Sequence, residues 1–266
     1  MRDITIGQYY NTDSVIHRLD PRTKIVVTLI YVITLFLARN PFVYLAAFVT
    51  LAAYIKISNV PIKFIFKGLK ALAILILFTS VMTLFTVRGT KVLFEWWYIR
   101  ITEAGLYSAI YLALRLTFMI IGSSMMTYTT TPNSLTDGLE KMLGWMKKLH
   151  VPVHEFAMIM SLALRFVPIL VEELDKIMKA QMARGIDFKE GNLFVRIKKL
   201  IPIMIPLFVS AVRRSNELAL AMDARCYHGG EGRTKMKPLQ YRRGDYIAYV
   251  LIFAYLVGMI ILAVKF

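Results

Sequence analysis

The stretch FAMIMSLALRFVPILVEELDKIMKAQMARG, residues 156–185, decides how this chain is read. It is long enough for about eight helical turns. Arg165, Glu172, Glu173, Asp175, Lys176 and Lys179 interrupt its apolar character. A charge at a bilayer centre costs about 2.5–3.5 kcal/mol on insertion scales, so this helix is no simple membrane span. At 100° per residue, Arg165, Glu172, Lys176 and Lys179 fall on one side and Ala163, Val167, Leu170, Leu174, Ile177 and Met178 on the other, an amphipathic pattern. Glu172 with Lys176 and Asp175 with Lys179 are spaced as i,i+4 pairs, each worth about 0.2–0.5 kcal/mol. Pro168 is expected to bend the helix. A second half-polar helix is expected over residues 200–224, with Pro202 and Pro206 near its start and Arg213, Arg214, Glu217 and Asp223 further along. The first closes on Ala183-Arg184-Gly185 and the second on Ala224-Arg225-Cys226, with the two arginines 41 positions apart. Two half-polar helices with matching ends are suited to touching another protein.

The rest of the chain is of another kind. Hydrophobic residues make up 57% of the 266 and the mean hydropathy is +0.56, which places the chain in the all-α, polytopic membrane class. Its formal net charge of +16 could suggest nucleic acid as a partner, but 27 of the 33 Lys and Arg fall in segments that the hydropathy pattern puts on one side of the membrane. The positive-inside rule accounts for them, and nucleic acid is not expected. The single cysteine excludes an intrachain disulfide and a multi-cysteine metal site. The polar start lacks the apolar region of a cleaved signal peptide, so the amino terminus is expected in the cytoplasm.

About five transmembrane helices are expected. In the first, residues 21–38, Asp20 caps the helix, Pro21 takes its first position, and Arg22 and Lys24 reach out to the cytoplasmic interface. The second covers 42–55 and returns to Lys56, Lys63, Lys67 and Lys70. The third, 71–87, leads to an outer segment with Trp96, Trp97 and Tyr98, suited to an interfacial belt. The fourth, from 104 to about 131, carries one ionisable residue, Arg115, which must face protein or water. Pro132 ends it, and Ser134 with Asp137 has capping-box spacing for a short helix to Leu149. The last span covers 246–264, which puts the carboxyl terminus outside. The divisions are then 1–131, four spans; 132–243, a cytoplasmic region of one short and two long helices; and 244–266, the last span.

At each Ala-Arg end, the guanidinium offers a planar fork of donors, and a cation is favoured at a helix carboxyl terminus. Gly185 can adopt the left-handed conformation that closes a helix. Cys226 would pay about 1–2 kcal/mol to do so, which predicts a later end for the second helix, at Gly229. Catalytic alternatives fail on spacing. Residues 230–235 lack the G-x4-G-K-[ST] pattern that cradles phosphate, and His154-Glu155 is followed at 158 by Met where HExxH needs histidine. His150 and His154 are separated by Pro152, which works against a shared metal-binding face.

Four segments, HRLDPRTK (17–24), TTTP (129–132), LRFVPILVEELDKIMKAQMARGIDF (164–188) and PLFVSAVRRSNELALAMDARCYHGGEGRT (206–234), resemble the transmembrane T component of energy-coupling factor transporters, the vitamin importers of the ABC class. The resemblance covers nearly the full length and is strongest to the shared group II type. It implies a non-enzymatic subunit of a bacterial cell membrane transporter with no cofactor of its own, ATP and magnesium being bound by two partner ABC ATPases forming a heterodimer. It further implies that the long helices are coupling helices, with Ala183, Arg184, Gly185, Ala224, Arg225 and Cys226 docking the ATPases and interchangeable vitamin-binding S components completing the complex. Cys226 stands where the family pattern has glycine. The Met-rich run of Met142, Met146, Met158 and Met160 is the expected adaptable surface for an S component. The alternative is a permease that lines the substrate path itself. The third and fifth spans are nearly all apolar and the fourth adds only Arg115, Ser123, Ser124 and a few threonines, which is thin for a vitamin.

Overall fold

The computed structural model describes residues 9–37, 40–89, 91–96, 99–188, 190, 192–229, 236 and 238–265. Ala38, Trp97, Tyr98 and residues 230–235, all named above, lie outside them. Among the described residues eight α-helices run in the order α1 (Pro21–Leu37), α2 (Pro41–Ser58), α3 (Ile62–Thr86), α4 (Glu103–Thr129), α5 (Pro132–Met142), α6 (Val153–Ala183), α7 (Leu193–Asp223) and α8 (Arg243–Lys265). Two antiparallel strands, β1 (Val92–Trp96) and β2 (Ile99–Thr102), lie between α3 and α4 in the chain. The fold is all-α and polytopic. Helices α2, α3, α4 and α8 are long and apolar enough to cross a membrane, and α1, at 17 residues, stands at the lower limit for doing so. The chain divides into two compact units, residues 7–141 with 239–266, and residues 142–238.

In the first unit α4 packs against α1, α2 and α3, and α8 against α1 and α2. Tyr31 and Leu35 of α1, Val43, Tyr44, Ala47 and Leu51 of α2, Phe118 of α4 and Met259 of α8 share one buried cluster. The Tyr44 and Tyr111 rings stack at 5.1 Å, with 6° between planes. Contact between α1 and α4 is close enough that a Cβ on Gly122 would stand 2.6 Å from the Tyr31 ring, so only glycine fits there.

HRLDPRTK builds the polar end of this bundle. Asp20 caps α1 as its spacing requires, its Oδ1 accepting from the Arg22 backbone N–H at 2.9 Å. Arg22 and Lys24 do not reach out to solvent, contrary to expectation. Arg22 pairs with Asp20 at 2.8 Å and lies 3.9 Å from the Tyr241 ring centroid. Burial pushes the Asp20 carboxyl up, and the Arg22 hydrogen bonds outweigh it, so the group sits below its ordinary range. Lys24 is buried, its Nζ donating to the Thr129 carbonyl at 2.7 Å and the His17 carbonyl at 3.2 Å. The Thr129 carbonyl is among the last four of α4, which have no partner within their own helix, and a cation is favoured there. Asp245 completes the end from the far side of the sequence. Fully buried, it accepts from the Arg242 N–H at 2.7 Å, closing the first turn of α8, and from the Asp20 N–H at 2.8 Å. One carboxylate thus holds the starts of α1 and α8.

Pro132 opens α5 where it was expected only to end a span. Thr131, not Ser134, is its cap, because Thr131 Oγ1 accepts from the Ser134 N–H at 3.3 Å and Pro132 at the first position needs no donor. Nor does this helix run unbroken to Leu149. It tightens into a 3-10 segment, Leu143–Leu149, which His150 closes at φ 59. Pro152 follows and disfavours further helix in the residue before it.

Candidate functional site

Helices α6 and α7 form the second unit's main element, each of 31 residues and so about 46 Å long. They run antiparallel, since Gln181 meets Pro202 and Glu173 meets Ser210 and Arg214. The start of α7 lies seven residues before the expected Leu200. Pro202 and Pro206 therefore sit inside it, where each removes one backbone donor. Pro206 cannot bond the Pro202 carbonyl four residues back, and Gln181 Nε2, on a buried side chain of α6, donates to that carbonyl at 3.2 Å. Lys199 donates to the Asp187 and Glu190 carbonyls at 2.5 and 3.0 Å, tying down the connection between the helices.

Glu173, which the sequence marked only as one of the charges interrupting the helix, is the polar centre of this contact. It accepts from Ser210 Oγ at 2.5 Å and Arg214 at 2.8 Å. Those two hydrogen bonds hold its carboxyl below the ordinary range. The expected pairs Glu172 with Lys176 and Asp175 with Lys179 do not close among the described residues. These side chains stay on the exposed face, where an ion pair gains little over hydration. Arg214 was read only as part of a polar patch. Its signal in the sequence is the spacing, because Glu173 precedes Arg184 by eleven positions and Arg214 precedes Arg225 by the same eleven.

The two tips have the same backbone geometry. At the first, the Gly185 N–H bonds the Met182 carbonyl at 3.0 Å and the Ile186 N–H bonds Gln181 at 3.1 Å. At the second, the Cys226 N–H bonds Asp223 at 2.9 Å and the Tyr227 N–H bonds Met222 at 3.1 Å. Both patterns are the Schellman closure. Gly185 has φ 89, and Cys226 adopts φ 52 despite its side chain. α7 thus ends at Asp223 and not towards Gly229, the two closing hydrogen bonds offsetting the cost of the left-handed residue. Ala183 and Ala224 precede the arginines, and Arg184, Gly185, Arg225 and Cys226 are exposed. Neither guanidinium makes an ion pair or hydrogen bond among the described residues. Because the helices are antiparallel, the two guanidinium groups stand at opposite ends of the pair and cannot serve one binding site.

The four methionines do not gather on one face. Met142 ends α5 and Met146 lies in the 3-10 segment, both half-buried. Met158 lines a cavity between α6 and the end of α7, while Met160, two residues on, is exposed. A longer apolar surface was missed. Phe194, Ile197, Ile201, Met204, Phe208 and Val212 recur at three and four along α7 and are all exposed, opposite the face that carries the buried Ile203 and the Ser210 and Arg214 that meet Glu173 of α6. Reading the helix as starting at Leu200 cut this stripe short. Arg115 lies mid-way along α4, half-buried. His150 and His154 fall on different elements, the 3-10 cap and the first turn of α6.

The family described as cobalt transport protein, CbiQ, matches residues 12–236. Among curated relatives, an energy-coupling factor transporter transmembrane protein EcfT of Clostridium kluyveri is 50% identical over 249 residues, which are 93% of this chain and 92% of the relative. The protein of that name in Ruminiclostridium cellulolyticum is 46% identical over 266 residues, 100% of this chain and 99% of its own. That in Bacillus subtilis is 43% identical, with 92% of each chain covered.

Proposed function

Because this chain belongs to the family of energy-coupling factor transporter transmembrane proteins, within the CbiQ group, we propose that it passes ATP-driven movement of two ABC ATPase subunits to a vitamin-binding S component. The chain is the membrane subunit and supplies no catalytic group. Arg184 and Arg225, with Ala183, Gly185, Ala224 and Cys226 beside them, each dock one ATPase of a heterodimer that binds ATP and magnesium. The observation carrying this reading is the pair of identically closed, exposed arginine tips at opposite ends of one antiparallel helix pair. The Glu173–Arg214 contact keeps α6 and α7 registered while their ends are pushed. The S component rests on exposed apolar surface, the α7 stripe from Phe194 to Val212 and, of the run Met142, Met146, Met158 and Met160, the exposed Met160. The chain lies in the bacterial cell membrane with its amino terminus in the cytoplasm and its carboxyl terminus outside, in keeping with its basic segments.

The test is retention of the ATPases by wild type, Arg184→Glu, Arg225→Glu and the double variant, with vitamin uptake measured in parallel. Each single reversal should weaken retention and the double should abolish it, since reversing one partner of a charged contact costs about 2–5 kcal/mol. Full retention with normal uptake would reduce both arginines to helix caps. Uptake by this chain and the ATPases without an S component would instead favour a permease that lines its own path.

A further inference from the structure

We propose that Arg165 of α6 and Arg225 at the end of α7 form one receptor for an acidic segment of the ATPase subunit that meets the Arg225 tip, seated in the cavity between the two helices. The inference rests on the docking role given to Arg225 above and adds a residue and a binding mode to it. The cavity is about 580 Å³, within the range that encloses a group larger than one side chain. Two guanidinium groups and the His228 imidazole line it, and among the described residues no carboxylate does. Arg165 is exposed, and its guanidinium makes no ion pair or hydrogen bond among the described residues. Two cations facing one space repel each other in the free chain, and an entering carboxylate removes that cost. The contrast is with Arg214, whose charge Glu173 already answers.

The remaining wall fits a peptide better than a bare ion. Met158, Leu162 and Met222 give it an apolar side able to take the aliphatic part of a Glu or a flanking residue. The Arg184 end differs, because the nearby Lys199 is already committed to the Asp187 and Glu190 carbonyls. The Arg225 tip is therefore a contact shared by both helices, and a segment bound there links the beginning of α6 to the end of α7.

Cys226 supplies the probe, being the chain's only cysteine, exposed, and part of the same cavity. In the assembled complex, maleimide labelling of Cys226 should be at least tenfold slower than in the chain alone. Arg165→Glu should lower ATPase affinity at least tenfold, as Arg225→Glu does, and the double variant should lose less than the two losses combined, because both residues hold one segment. Arg165→Gln, which removes a charge without adding one, should fall between and guards against misfolding of the reversal. If Arg225→Glu loses the ATPases while Arg165→Glu and Arg165→Gln retain them as wild type does, the receptor is overturned and the docking role of Arg225 stands. If all retain them, the docking role itself falls. Equal labelling of Cys226 in the free and assembled chain would also overturn the receptor.

Discussion

Replacing Asp245 by alanine removes a side chain that holds two helix starts at once. Its oxygens accept from the Asp20 N–H at 2.8 Å and the Arg242 N–H at 2.7 Å, and the side chain has no exposed surface, so water cannot take its place without opening the bundle. Hydrogen bonds to a charged group contribute about 1.5–3 kcal/mol each. Losing both, with partial relaxation, comes to about 3–5 kcal/mol. For a chain of this length each kcal/mol moves the unfolding midpoint by about 2–4 °C, so Asp245→Ala should lower it by about 6–20 °C. Asp245→Asn is the sharper variant, because its amide keeps one oxygen acceptor but turns an NH2 towards the other N–H. It should show roughly half the alanine shift. The assay is the fraction of detergent-solubilised chain that remains monodisperse after heating, read by size exclusion. A midpoint for Asp245→Ala within about 2 °C of wild type would falsify the assignment, and an asparagine variant as stable as wild type would show that one acceptor suffices.

Two further outcomes follow from particular contacts. Gln181→Leu strips the Pro202 carbonyl of its donor and should cost about 1–2 kcal/mol, whereas in a Pro206→Ala background, where the substituted residue supplies its own backbone N–H, it should cost much less. A double-mutant cycle on unfolding should show about 1 kcal/mol of coupling, and simple additivity would sink the account. Burial, and secondarily the charge of Lys24, lower the pKa of His17 from 6.5. The folded chain therefore binds that proton less readily than the unfolded one, and stability should fall as pH drops from about 6.5 to the folded value and level off below it. His17→Asn should flatten this part of the profile, and an unchanged slope would assign the acid sensitivity to another group.

Local signals were legible. Asp20 before Pro21 reads as a cap and a first helical position because both act within one turn, and the apolar runs of α2, α3, α4 and α8 read as spans because hydropathy needs no partner. The Ala-Arg ends were equally plain. Long-range compensation was hidden. Lys24 next to a membrane span suggested an amine reaching for solvent, and its actual acceptor at Thr129 is 105 positions away. The prolines of α7 looked like a boundary because nothing nearby supplies the lost hydrogen bond, and Gln181, on the other helix, does. Cys226 was read by its intrinsic reluctance to adopt a left-handed conformation, which the two closing hydrogen bonds override. Arg165 passed as one charge on a solvated face, because the cavity it shares with Arg225 exists only once α6 and α7 pair.

The Asp245 staple also sets a clock on synthesis. Asp20 and Asp245 are 225 residues apart, so at about 5–20 residues per second the first helix waits roughly 10–45 s for the carboxylate that holds it. Lys24 waits about half as long for Thr129. Through that interval the nascent chain carries an ammonium group and a backbone N–H at the mouth of its first helix with their final partners not yet made. A ribosome that stalls before residue 245 leaves a product whose first and last helices cannot close, and membrane proteases have a window in which to distinguish it from a finished subunit.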